Sequence, residues 1–120
     1  MSRLIALAAL LLLLLPLPVA AQQAAFRTDG AATASLAATT TSSRVQIQTA
    51  VPGAPNARIY NSGSVAAFVE CGDVTVVATV AASLPIAPGT VEILGCQKTH
   101  IAGITSTGTA TLYLTPGTGL

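Results

Sequence analysis

From residue 44 onward, apolar positions recur in short runs separated by turn residues, with no 3.6-residue period. Residues 44–49 alternate strictly, with Val45 and Ile47 set against Arg44, Gln46 and Gln48, the pattern of a strand with one buried face. Residues 52–56, rich in Pro and Gly, end that run. Residues 58–60 and 65–70 flank Asn61-Ser62-Gly63-Ser64 and predict an antiparallel hairpin. Residues 74–80 are β-branched almost throughout and predict a central strand covered on both faces. Pro85 and Pro88 cannot donate to a ladder, so residues 85–89 predict a loop or a sheet edge. Residues 90–94, 100–105 and 109–115 complete the series, the last two joined by Ser106-Thr107-Gly108 as a second hairpin, and residues 116–120 read as an exposed tail or an oligomer contact. Strands spaced about 8 to 12 residues apart predict an all-β fold, a small antiparallel β-sandwich or barrel of jelly-roll-like kind.

The residues upstream follow a different pattern. Residues 1–3 are a short basic start, residues 4–15 are continuously apolar, and Pro16 and Pro18 precede a small-residue stretch. This is the layout of a secretory signal peptide. Its apolar run falls short of the about 18 to 20 residues of a spanning helix, so no permanent membrane anchor is expected. Val19 and Ala21 supply the small side chains of a cleavage site between Ala21 and Gln22. The other reading is that translation starts further downstream. Residues 22–43 are Ala, Thr and Ser with little periodicity, too poor in large apolar groups to offset the entropy of ordering, and are expected to dock at most an edge strand near residues 33–37. The chain thus divides into a leader at 1–21, a flexible arm at 22–43 and a β domain at 44–120.

Composition narrows the chemistry. The 120 residues are 52% hydrophobic, 8% charged and 3% aromatic, enough for one domain whose core must be built from small and β-branched side chains. Five basic residues against four acidic ones give a net charge of +1, without the basic clustering that nucleic acid demands. Cys71 and Cys96 follow two different predicted strands. In an exported protein such a pair is expected to be bridged, closing a loop of about 25 residues worth roughly 3 kcal/mol, whereas in the cytosol both would be thiols.

Candidate catalytic groups are sparse. His100, the one histidine, stands four residues from Cys96, a spacing of about 13 Å along a strand and too far for a thiol and its base. Glu70 and Asp73 flank the Cys71-Gly72 turn, where carboxylates are ordinarily solvated. The Ser and Thr residues lack the G-x-S-x-G elbow of a nucleophile. Cys71, Cys96 and His100 lack paired metal-ligand spacing, and Gly103, Gly108, Gly117 and Gly119 read as turn glycines rather than a phosphate cradle. No catalytic, metal or cofactor residue is therefore expected, and the chain reads as a non-enzyme.

Three stretches carry a resemblance: residues 58–69 around Asn61-Ser62-Gly63-Ser64, residues 84–93 with Pro85-Ile86-Ala87-Pro88-Gly89, and residues 107–120 closing on Thr115-Pro116-Gly117-Thr118-Gly119-Leu120. Together they resemble small β-sandwich proteins encoded among the structural genes of tailed bacteriophages and prophages. The likeness extends over about residues 33–120. It implies a virion component of the head-decoration or minor structural kind, binding capsid or tail lattice subunits as a homo-oligomer, with no catalytic residue to carry over. The chain departs from that family in its leader, since virion proteins assemble in the cytoplasm. Relatives begin near a Met-Ala-Thr-Ala-Ser-like start, comparable with Ala32-Thr33-Ala34-Ser35 here. The alternative expectation is an exported, disulfide-closed envelope or extracellular β-domain, periplasmic or secreted, acting in adhesion or binding.

Overall fold

The structure, a computed structural model, describes residues 24–28, 32–47 and 55–120. The leader and its cleavage site at Ala21 and Gln22 lie outside the described residues. Eight strands follow one another: β1 (Ala34–Ala38), β2 (Ser43–Gln46), β3 (Asn56–Asn61), β4 (Ala67–Gly72), β5 (Leu84–Ile86), β6 (Val91–Gly95), β7 (His100–Thr105) and β8 (Ala110–Gly117). They form two antiparallel four-stranded sheets, ordered β1-β8-β3-β6 and β2-β7-β4-β5. The described residues contain no helix.

Alternation decides which residues meet between the sheets. Leu36 and Ala38 of β1, Ala57 and Ile59 of β3, and Leu112 and Leu114 of β8 point inward from the first sheet. Val69 of β4, Ile86 of β5 and Ile101 of β7 meet them from the second. With so few large side chains the layer between the sheets is thin. Gly103, expected in a turn, stands in the middle of β7, and a Cβ there would lie 2.9 Å from Leu36 Cδ2 and 3.2 Å from Leu112 Cδ1. Its missing side chain lets the sheets approach.

Several sequence expectations are corrected. The Val-rich run 74–80, expected as a central strand, is a loop joining β4 to β5, with Val74 59% and Val77 60% exposed. Both sides of β4 are already occupied, by β7 and β5, so the run does not take the interior place beside it that its composition predicts. The loop instead meets its hydrogen-bonding needs locally. Asp73 Oδ1 accepts from the Thr75 N–H (2.8 Å), and Ser83 Oγ accepts from the Thr79 N–H (2.9 Å).

The two expected hairpins are corners. β3 and β4 lie in different sheets, as do β7 and β8, so their short Gly-containing connections carry the chain across the sandwich. Of the consecutive strands described, β4 and β5 alone pair with each other. The edge strand expected near residues 33–37 is present as β1, but its Leu36 and Ala38 belong to the core, so the sandwich includes Ala34–Ala38 rather than starting near Arg44. β2 ends at Gln46, before the expected end of its alternating run at Thr49, and residues 48–54 lie outside the described residues. The closing residues are held rather than free. Arg27 and Thr118 exchange backbone hydrogen bonds of 2.8 and 2.9 Å, and the Leu120 N–H donates to the Ala24 carbonyl (2.9 Å). Gly117, also read as a turn glycine, ends β8 beneath that crossing segment.

Candidate functional site

The outer face of the first sheet collects the side chains that alternation turns away from the core. On β3 these are Arg58 and Tyr60, and on β8 Thr111, Tyr113 and Thr115. The register aligns them in rows. Ser35 lies opposite Tyr113, Tyr113 opposite Tyr60 and Tyr60 opposite Val91; in the next row Thr115 lies opposite Arg58 and Arg58 opposite Ile93. The two tyrosines, the only ones in the chain, stack with ring centroids 6.3 Å apart and planes 18° from parallel.

A cross-strand aromatic pair of this kind adds about 0.2–1 kcal/mol to a sheet. The core does not use these rings, which remain 39% (Tyr60) and 43% (Tyr113) exposed. Beside them the Thr33 and Thr115 hydroxyls bond at 2.8 Å, and Arg58, Val91 and these four residues line a shallow depression of about 410 Å³. Its chemistry is two aromatic rings, hydroxyls that both donate and accept, and one guanidinium, with no carboxylate among the lining residues. Tyr and Arg are the residue types that dominate the energetic centres of protein interfaces.

The 73–83 loop is the second exposed feature. The Thr75 hydroxyl donates to Asp73 Oδ1 at 2.6 Å, alongside the Thr75 N–H. That hydroxyl, then the N–H, lower the Asp73 pKa from its ordinary 3.8; slight desolvation opposes them and the positive fields of Lys98 and His100 assist. The Ala78 N–H donates to Ser42 Oγ (2.9 Å), which ties the loop to the β1–β2 turn. Val74, Val77 and Val80 are therefore displayed on a pinned segment.

The sequence candidates are dispersed. Cys71, at the end of β4, and Cys96, just after β6, form a disulfide with Cα atoms 5.7 Å apart that joins the two sheets. Cys96 is thus no thiol for His100, whose Nδ1 lies 2.7 Å from Thr99 Oγ1. Glu70 accepts from the Ser83 hydroxyl (3.2 Å) while Asp73 is engaged by Thr75, so the two carboxylates have separate partners. Sequence reasoning missed the tyrosine pair. Its signal was present in the period-2 parity of Arg58 and Tyr60 and of Tyr113 and Thr115, but only the β3–β8 pairing brings the two sets together. Set against known proteins, the chain matches no family profile, no curated protein and no solved structure.

Proposed function

We propose that this chain is a non-enzymatic structural protein of a bacteriophage or prophage virion, which binds a capsid or tail lattice. The observation that carries the reading is the Tyr60–Tyr113 face. It is an exposed aromatic surface beside Arg58 that the fold's own core leaves unused. Such a face acts by added contact area: seated across neighbouring lattice subunits, it raises the free energy of separating them. The strand order supports the reading. β1-β8-β3-β6 over β2-β7-β4-β5 is the order of an eight-stranded jelly roll, an architecture of viral capsid domains that also occurs in lectins and cupins. The sequence resemblance points the same way.

The disulfide favours a second reading, an exported envelope or extracellular binding module, because such bonds persist in oxidising compartments. A released virion surface is itself such a compartment, so the bond accords with both.

The test uses tailed particles purified from a host carrying the gene. Mass spectrometry is expected to find the chain in the particles, and purified chain is expected to co-sediment with particles stripped of it. The Tyr60→Ser/Tyr113→Ser variant should fold yet bind about ten-fold more weakly. Absence of the chain from particles, with recovery from periplasm or medium as a product trimmed after Ala21, would overturn the virion reading in favour of export.

A further inference from the structure

Among the described residues, four strands end the two sheets: β1 and β6 in the first, β2 and β5 in the second. An edge strand offers unpaired N–H and C=O groups to any passing chain, and folded proteins blunt such edges with brevity, proline or charge. β5 has three residues with Pro85 in the middle. β6 carries Glu92, set opposite Ile59 in the register and exposed at the sandwich margin, a charge of the protective kind. β2 carries Arg44. β1, Ala34-Ser35-Leu36-Ala37-Ala38, has no such device, and residues 32–43 contain no charge.

The hydrogen-bond pattern shows which groups β1 offers. The Ser62 N–H donates to the Thr111 carbonyl (3.0 Å), so Thr111 directs its backbone groups toward β3. In an antiparallel ladder these directions alternate, so Ala110, Leu112 and Leu114 face β1. Their partners there are Ala38, Leu36 and Ala34. The backbone groups of Ser35 and Ala37 consequently point to the open side. One of them, the Ala37 carbonyl, already accepts from the Ser43 hydroxyl at 3.3 Å and has a second lone pair to offer.

We propose that β1 pairs antiparallel with β1 of a second copy, about a two-fold axis at Leu36, joining two first sheets into one continuous sheet. In this register Ser35 and the partner's Ala37 exchange N–H···O=C bonds in both directions, and symmetry repeats the exchange. Leu36 then faces the partner's Leu36, so the core-facing residues of both copies stay on one side and Ser35 and Ala37 on the other. Charge selects this edge. Self-pairing of β6 would bring Glu92 toward the partner's Glu92, and self-pairing of β2 would do the same with Arg44, whereas β1 brings together uncharged residues. The product is an isologous dimer.

The pairing stands without the lattice reading. If that reading also holds, the dimer sets two Tyr60–Tyr113 faces on one surface and doubles the contact each complex makes.

Sedimentation of the purified full-length chain across a concentration series, combined with amide hydrogen exchange, tests the pairing without particles. A reversible dimer is expected, with exchange at Ser35 and Ala37 slowing about ten-fold or more as the dimer forms while Val91 and Ile93, on the opposite edge, stay fast. Ala37→Pro removes an N–H that no bond within the sheet uses and places a ring on the open side, so it should yield a folded monomer. Ile93→Pro, the matching change on β6, should leave the dimer intact. Should Ala37→Pro fail to fold, exchange in the unaltered chain still decides. A monomer persisting to about 1 mM, protection at Ser35 and Ala37 that ignores concentration, or a dimer that survives Ala37→Pro would overturn the proposal. Protection that appears only when particles are added would assign the edge to another protein and overturn it equally. Virion association is read separately, so either idea can fail alone.

Discussion

The Asn61 side-chain amide, wholly buried at the end of β3, donates to the carbonyl of Ile86 on β5 in the opposite sheet (3.0 Å). The same nitrogen donates to the Val65 carbonyl (2.9 Å), and Oδ1 accepts from the Gly63 N–H (2.9 Å), so one side chain shapes the β3–β4 corner and ties it to the second sheet. Asn61→Leu would leave three backbone groups without this partner, that of Ile86 in a buried bond and those of Val65 and Gly63 in partly buried ones, and should lower stability by about 2 kcal/mol, read as a shift in the urea midpoint at unchanged slope. Asn61→Asp should cost more at pH 7 than in acid, because a buried carboxylate facing two carbonyls repels both while its protonated form can donate to one.

Gly117 tests the segment that crosses the end of β8. A Cβ at this position would strike the Arg27 carbonyl oxygen, which accepts from the Thr118 N–H, and would come within 2.6 Å of Phe26 Cζ. Backbone cannot retreat as a side-chain tip can. Gly117→Ala should therefore displace residues 24–28 while the sandwich stays folded, at a cost of about 1 kcal/mol for the lost pairing. Trypsin cleavage after Arg27 reports it, with a rate expected to rise about ten-fold as the local opening becomes easier.

Local chemistry in the sequence marked out most strands. The β7 span, the turn glycine at 108 and the edge position of Pro85 follow from alternation and backbone rules that need no knowledge of the partner strand. Strand pairing was illegible for the same reason. The Gly-containing connections at residues 62–66 and 106–109 have hairpin composition, yet whether the chain folds back or crosses to the other sheet depends on where β6 and β8 settle beside β3. The Val-rich loop misled because β-branched composition signals burial on average, whereas Asp73, Thr75, Thr79 and Ser83 satisfy this backbone without a ladder. The tyrosine face depends on pairing too, so its two halves could be placed on strands but not side by side.

Acid should loosen the loop that begins at Asp73. Its carboxylate has a depressed pKa, chiefly through the Thr75 hydroxyl, so the stabilisation it lends is fully present above the ordinary value of 3.8 and is lost as pH falls through the lower folded value. Amide exchange at residues 74–77, corrected for its intrinsic pH dependence, is expected to gain protection as pH rises through this range. Thr75→Val should move the Asp73 carboxyl titration upward, read by carbon NMR. The carboxylate is fully exposed, so the effect is confined to the loop and the global unfolding midpoint should scarcely change.

The Cys71–Cys96 bond ties the two sheets together at one margin of the sandwich. It joins an interior strand of the second sheet to the end of an edge strand of the first, beside a cleft where Leu84 is exposed and Leu94 only half-buried. At this margin the apolar layer is thin, and the bond spans 25 residues of sequence, for which chain entropy gives about 3.5 kcal/mol. Replacing both cysteines with Ala should lower the unfolding free energy by about that amount and raise the denaturant slope, because the freed chain exposes more surface when unfolded. Folding itself should survive, since the core residues of β1, β3, β7 and β8 meet without the bridge. Alkylation of thiols before lysis then separates the two functional readings. A virion component made in the cytosol should be trapped with both thiols free inside the cell and bonded in released particles, whereas an exported domain should be bonded as soon as it crosses the membrane.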